Sequence, residues 1–125
     1  MAKTFNLEHR KAKTPMITDH LVKNEQQATP TDIHRYQRKV GLIGYPASIT
    51  RPDVCRTLQK LSEFLQNPGS IHEEVADHYI AYLNSTRYLA LEYGSHTATP
   101  IFLCASDASF ADDTIRRWST EGGLF

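Results

Sequence analysis

The stretch "TPTDIHRYQRKVGLIGYPASIT", Thr29 to Thr50, decides how this chain folds. Thr29 offers a side-chain cap, and Pro30 suits the first helical position. Asp32 puts a negative charge where the first-turn amides are unpaired. Ile33, Tyr36, Val40, Ile43 and Ala47 then recur at spacings of three and four, so they share one side of a helix. Gly41 and Gly44 fall beside that stripe and leave room for a close neighbour. Pro46 conflicts with the pattern. It has no N–H and its ring crowds the carbonyl four residues back, which costs about 3 kcal/mol inside a helix. The helix is predicted to stop or kink near Tyr45.

Two more helices follow. In "TRPD" (50–53), Thr50 can cap, Pro52 fits a first turn and Asp53 can reach back to free amides. Val54, Leu58, Leu61 and Leu65, widened by Cys55 and Phe64, make its apolar stripe, and "NPG" (67–69) ends it. Ser70 and Glu73 have the spacing of a capping box for a third helix. Its apolar face is Val75, Ala76, Tyr79, Ile80 and Leu83, and "NST" (84–86) closes it. Short amphipathic helices with brief connections predict a small antiparallel bundle. Upstream, residues 1–28 are polar and without a period; "KNEQQATPT" has linker composition.

Downstream the period changes. "RYLALEY" (87–93) alternates, with Leu89, Leu91 and Tyr93 on one side, and reads as a strand. "IFLCAS" (101–106) is an apolar run of strand length. "RRWSTEGGLF" (116–125) is its expected hairpin partner across the acidic "SFADDTI". The predicted class is α+β: a three-helix segment over 29–87, an extended linker over 1–28, and strand and hairpin over 88–125.

The totals narrow the classes. Hydrophobic residues are 40% of 125 and mean hydropathy is −0.46, and no run approaches the roughly 20 apolar residues of a spanning helix. A membrane partner is therefore not expected. Cys55 and Cys104 lack CxxC spacing and sit among apolar residues, so both are expected to be buried thiols in a reducing, intracellular setting. The formal charge is zero but unevenly spread. Residues 1–60 carry eleven Lys and Arg against five acids; residues 61–125 carry three against nine. Such asymmetry can mark a nucleic-acid-facing half, or be a solvated face with ordinary scatter.

The order of motifs resembles the copia-type retrotransposon Pol polyprotein. Tyr36, Arg38, Val40–Gly41 and Gly44–Tyr45 match that family's Tyr-Arg-x-x-Val-Gly-x-Leu-x-Tyr-Leu helix, and Thr50–Asp53 match its Thr-Arg-Pro-Asp. Leu61–Ser62, Phe64, Pro68, His72, Tyr82–Leu83 and Thr86 follow in the same order. "SDASFADDTIRRWSTEGGLF" is similar to the family's Ser-Asp-Ala-Asp-Trp-Ala-Gly-Asp and Arg-Lys-Ser-Thr-Ser-Gly-Tyr-Val-Phe. "TFNLEHRKAKTPMI" is similar to the stretch after the polymerase palm. The resemblance covers nearly the whole chain. It implies the thumb of a reverse transcriptase followed by the first hairpin of an incomplete ribonuclease H-like fold. Three departures stand out: Pro46 for Leu, Glu73 for Trp, and Ser109 for an acid.

The chemistry implied by the resemblance is cleavage of the RNA strand of an RNA–DNA hybrid by two Mg2+ ions about 4 Å apart. Asp107 aligns with the first catalytic, metal-binding carboxylate. The other ligands of the family would lie beyond Phe125 and its polymerase metal box before Met1, so no activity and no tight Mg2+ binding are expected of this chain alone. Asp112 and Asp113 fall in the hairpin connection and read as solvated loop acids. "HEEVADH" (72–78) is not H-E-x-x-H: its histidines are six apart, about 600° around a helix. Arg35, Arg38, Lys39, Arg51 and Arg56 are the candidate phosphate contacts, with ordinary solvated helix charge as the competing reading. The implied partner is an RNA–DNA hybrid or duplex, bound weakly and in a salt-sensitive way, besides the remainder of a Pol polyprotein. A retroelement relic reused as a small helical interaction or nucleic-acid-binding module is the alternative.

Overall fold

A computed structural model describes residues 1–18, 20–91, 105–109 and 119–124. The chain divides into two units, Met1–Leu91 and Glu92–Phe125.

The first unit is helical. α1 spans Pro30–Ile49, α2 Cys55–Ser62 and α3 Ser70–Ser85. The Thr29 Oγ1 accepts the Asp32 N–H at 3.2 Å, so the cap forms as the sequence predicts. Tyr36, Val40, Ile43 and Ala47 are buried, and meet Leu61 from α2 and Val75, Ala76, Tyr79 and Ile80 from α3. Burying each large side chain contributes about 1.5–3 kcal/mol. Two tyrosines sew the layers together. The Tyr36 hydroxyl donates to the Leu61 carbonyl at 2.8 Å, and the Tyr79 hydroxyl donates to the Val54 carbonyl at 3.3 Å. Each buried hydroxyl thus keeps a partner, which burial demands.

Several boundaries differ from the sequence reading. α1 runs through Pro46 to Ile49. The proline sits in the last turn, where its carbonyl accepts the N–H groups of Thr50 (3.0 Å) and Arg51 (2.9 Å). Continuing the helix is what buries Ala47 on the same face as Ile43. Thr50 is therefore the C-cap of α1 and does not cap α2. A 3-10 turn, Pro52–Val54, leads into α2, which ends at Ser62, short of Leu65. Cys55 is exposed, with its Sγ 3.5 Å from the Ala47 carbonyl, and so is not the buried thiol expected; Cys104 lies outside the described residues. The Ser70–Glu73 capping box does not form. Gly69 is the N-cap, and His72 Nδ1 accepts the Gly69 N–H at 2.7 Å, while Glu73 turns to α1.

Residues 1–18 and 20–28 run across the helices as an irregular strap with one 3-10 turn, Lys3–Phe5. It contributes Ala2, Ala12 and Leu21 to the core. Asn67 of the α2–α3 turn holds it: Asn67 Nδ2 donates to the Asn24 and Gln26 carbonyls (3.0 and 3.1 Å), and Asn67 Oδ1 accepts the Ala28 N–H (2.8 Å). Of the strand expected over 87–93, residues 87–91 form none. Arg87 and Tyr88 lie in a turn, Leu89–Leu91 have no ladder, and 92 and 93 lie outside the described residues. Alternation alone does not make a strand where, among the described residues, no neighbour supplies the ladder.

The second unit is described as a two-stranded antiparallel hairpin, β1 Ala105–Ser109 and β2 Thr120–Leu124, with Asp107 opposite Gly122. Of the expected first strand, 101–106, only Ala105 and Ser106 are described, and they pair with the 116–125 segment. The strand runs on to Ser109, which the sequence reading placed in the connection, because Asp107, Ala108 and Ser109 also find partners in Gly122, Glu121 and Thr120. Asp112 and Asp113 lie outside the described residues.

Candidate nucleic-acid interface

The five basic candidates do not form one surface. Lys39 is 5% exposed, its ammonium held between the carboxylates of Glu73 and Asp77 on α3. The charge reversal between the halves of the sequence is partly spent here, inside the unit, between α1 and α3. Arg35 lies at the rim of the same cluster, 3.0 Å from Asp32 and 3.2 Å from Glu73. Attraction and hydrogen bonding from Glu73 raise its pKa further.

Arg51 is 6% exposed. Its guanidinium grips Asp53 bidentately, Nε to Oδ1 at 2.9 Å and Nη2 to Oδ2 at 2.8 Å. It also reaches the C-cap of α3 through the Thr86 carbonyl (3.2 Å) and Oγ1 (2.8 Å), where a cation suits the helix end. Tyr82 completes the knot, its hydroxyl donating to Asp53 Oδ2 at 2.8 Å and its ring under the guanidinium. The Arg51 hydrogen bonds, helped by Tyr82, hold the Asp53 carboxyl below its ordinary range. Asp53 therefore serves this pair and not the α2 amides. Lys39 and Arg51 are internal ion pairs: burial and carboxylate partners remove them from the set that can reach a phosphate.

Arg38 and Arg56 are exposed, on α1 and in the first turn of α2. Among the described residues Arg38 has no ion-pair partner. It belongs to a second stripe that sequence reasoning passed over. At about 100° per residue, His34, Arg38, Leu42, Tyr45 and Ile49 lie on the side of α1 opposite the core stripe. Tyr45 is 74% exposed and Ile49 56%. Gly41 borders them, and a Cβ there would meet nothing within 4 Å. The signal was present in the 4-3-4 spacing of residues 38, 42, 45 and 49, hidden because the buried stripe has the same period.

Asp107 is exposed on β1. Pairing puts it on one face of the hairpin with Gly122, and Glu121, opposite Ala108, on the other. Among the described residues no group of three or more His, Cys, Asp or Glu could hold a metal ion. One carboxylate per face does not fit a two-metal site, so no step through Mg2+ follows from these residues. Nor is any helix among the described residues long and apolar enough to cross a membrane.

Comparison with known proteins finds similarity to two retroelement proteins and to a secreted effector. The chain is similar to the Retrovirus-related Pol polyprotein from transposon TNT 1-94 of Nicotiana tabacum, 31% identical over 129 aligned positions that cover 97% of this chain and 10% of that protein. A transposon Ty5-1 protein of Saccharomyces cerevisiae is 37% identical over 83 positions, 65% of this chain and 27% of that protein. The Secreted RxLR effector protein 161 of Plasmopara viticola is 36% identical over 90 positions, 72% of this chain and 63% of that protein. The chain thus spans less than two thirds of each of these relatives, and about a tenth of the tobacco polyprotein. No family model and no solved structure matches it.

Proposed function

We propose that the helical unit is a thumb-like element of a copia-type reverse transcriptase, which rests the outward face of α1 against an RNA–DNA hybrid. The observation that carries this reading is that face itself. It offers an arginine with no ion-pair partner among the described residues, a glycine open to close approach, and an exposed tyrosine on the side away from the core. Arg38 supplies charge for the phosphate backbone; Gly41 and Tyr45 supply a surface that a sugar or base edge can approach. Arg35, about 60° round α1 from that face, is a secondary contact on the same helix, and Arg56 is a separate exposed base on α2. Such binding reads no sequence and weakens with salt. The hairpin carrying Asp107 fits the start of a ribonuclease H-like domain through the resemblance of its residues, and contributes no catalysis by itself.

Fluorescence anisotropy with a labelled RNA–DNA hybrid tests the proposal. Binding at 50 mM salt should weaken severalfold by 200 mM. Arg38→Glu should weaken it about tenfold, while Lys39 and Arg51 act only through stability. Absence of binding at 50 mM salt, or an Arg38→Glu variant that binds like the parent, refutes it. The alternative, a protein-interaction module, draws on the apolar side chains of the same face, Leu42 and Ile49. Ile49→Ser would then abolish partner binding and leave hybrid binding intact.

A further inference from the structure

His72 occupies an unusual position for a titratable group. Its side chain is 0% exposed, and its ring stacks on Phe64 with centroids 4.0 Å apart. Nδ1 accepts the Gly69 N–H at 2.7 Å, which requires a lone pair there, so the ring is neutral with its proton on Nε2. Nε2 is buried without a well-formed hydrogen bond, and the Val22 backbone acts on the ring from the strap side. Gly69 closes the turn that clamps the strap. Asn24 Nδ2 donates to the Pro68 carbonyl at 2.9 Å, and a Cβ on Gly69 would meet the Asn24 side chain at 3.2 Å.

We infer that His72 is an acid-sensitive latch: neutral, it fixes the 67–69 turn and with it strap residues 22–28; protonated, it releases both. Protonation would set an N–H against the Gly69 N–H and charge a ring shut off from water. Among the described residues no carboxylate acts on the ring to compensate. Asp32 of α1 pairs with Arg35, Glu63 of α2 with Lys60, and Glu73 of α3 with Arg35 and Lys39. Lys23 and Glu25 of the strap are exposed to solvent. Burial lowers the pKa of His72, and the backbone contacts oppose it only in part. The folded state therefore refuses a proton that the open state accepts, and stability present above about pH 6.5 is lost as pH falls.

Amide hydrogen exchange on the full chain, corrected for intrinsic rates, tests the latch. Between pH 6.5 and 5.5 the opening constant of 22–28 and 67–70 should rise about fivefold, as expected for one proton taken up near 6.5. In His72→Asn, whose side-chain oxygen can accept the Gly69 N–H without titrating, it should change less than twofold. A rise that persists in His72→Asn, or no rise in the parent, overturns the inference. Should that variant not fold, imidazole 15N shifts in the parent decide. Nδ1 should stay unprotonated at pH 6, and its protonation should move the Gly69 amide. Titration near 6.5 with a silent Gly69 overturns it.

Discussion

Arg51 and Arg38 differ little as letters and greatly as groups. Arg51 spends its fork on Asp53 and the end of α3; Arg38 spends nothing inside the unit. Arg51→Lys keeps the charge and loses the bidentate geometry. It should lower stability by about 1–2 kcal/mol, a figure reduced for the partial exposure of Asp53, in urea unfolding. Lys39→Met leaves two carboxylates facing each other and should cost about 2 kcal/mol by the same measurement. Arg38→Gln should leave stability within about 0.5 kcal/mol. None of this was legible at residue scale. Which base is buried depends on Glu73, Asp77 and Thr86, each brought close only by the packing of α3. Position 73 was noted as a departure from the resembling family's Trp, but its partners could not be read from spacing.

The first cap and the apolar periods were legible because they are local, whereas the Thr50 cap and the Ser70–Glu73 box were misplaced by one helix end and one residue. The Thr29 cap, the Pro30 start and the buried stripes of α1 and α3 follow from neighbouring residues, and the structure has them. Pro46 was misread because its local penalty was weighed alone, whereas the last turn of α1 also buries Ala47 and gives the Thr50 and Arg51 N–H groups the Pro46 carbonyl as acceptor. Pro46→Ala should therefore restore a hydrogen-bond donor without changing the fold, and raise stability by about 1–2 kcal/mol, less than the full interior penalty because the site is in the last turn. Gly41→Ala should add about 0.5–1 kcal/mol, since its Cβ meets open space. The same methyl should weaken hybrid binding if α1 is approached closely there. Thermal melts give the first effect, anisotropy the second. Opposite signs for stability and binding would mark Gly41 as a residue kept for contact.

The first unit as a whole carries twelve Lys and Arg against nine acids, a modest excess of three that ion pairing concentrates on the few bases left outside. Its alkaline limit is set by the core. Burial raises the pKa of Tyr36 and Tyr79. Unfolded tyrosine ionises near 10, so their contribution is whole below that pH and is lost as pH climbs above it. Circular dichroism should show denaturant resistance falling from pH 9 to 11, with Tyr79→Phe less sensitive. The strap also sets an order of events. The Ala12 N–H meets Ser85 Oγ at 3.3 Å across a sequence separation of 73, and His78 Nε2 meets the Thr14 carbonyl at 2.8 Å across 64; the tyrosine links between helices span 25. Closing the longer loops loses more chain entropy and gains less per contact. The helices should therefore assemble first and the strap dock last. Ser85→Ala should speed unfolding in stopped-flow experiments and leave the refolding rate nearly unchanged. The strap is then the brake on unfolding: the molecule's lifetime, more than its speed of formation, is written in residues 1–28.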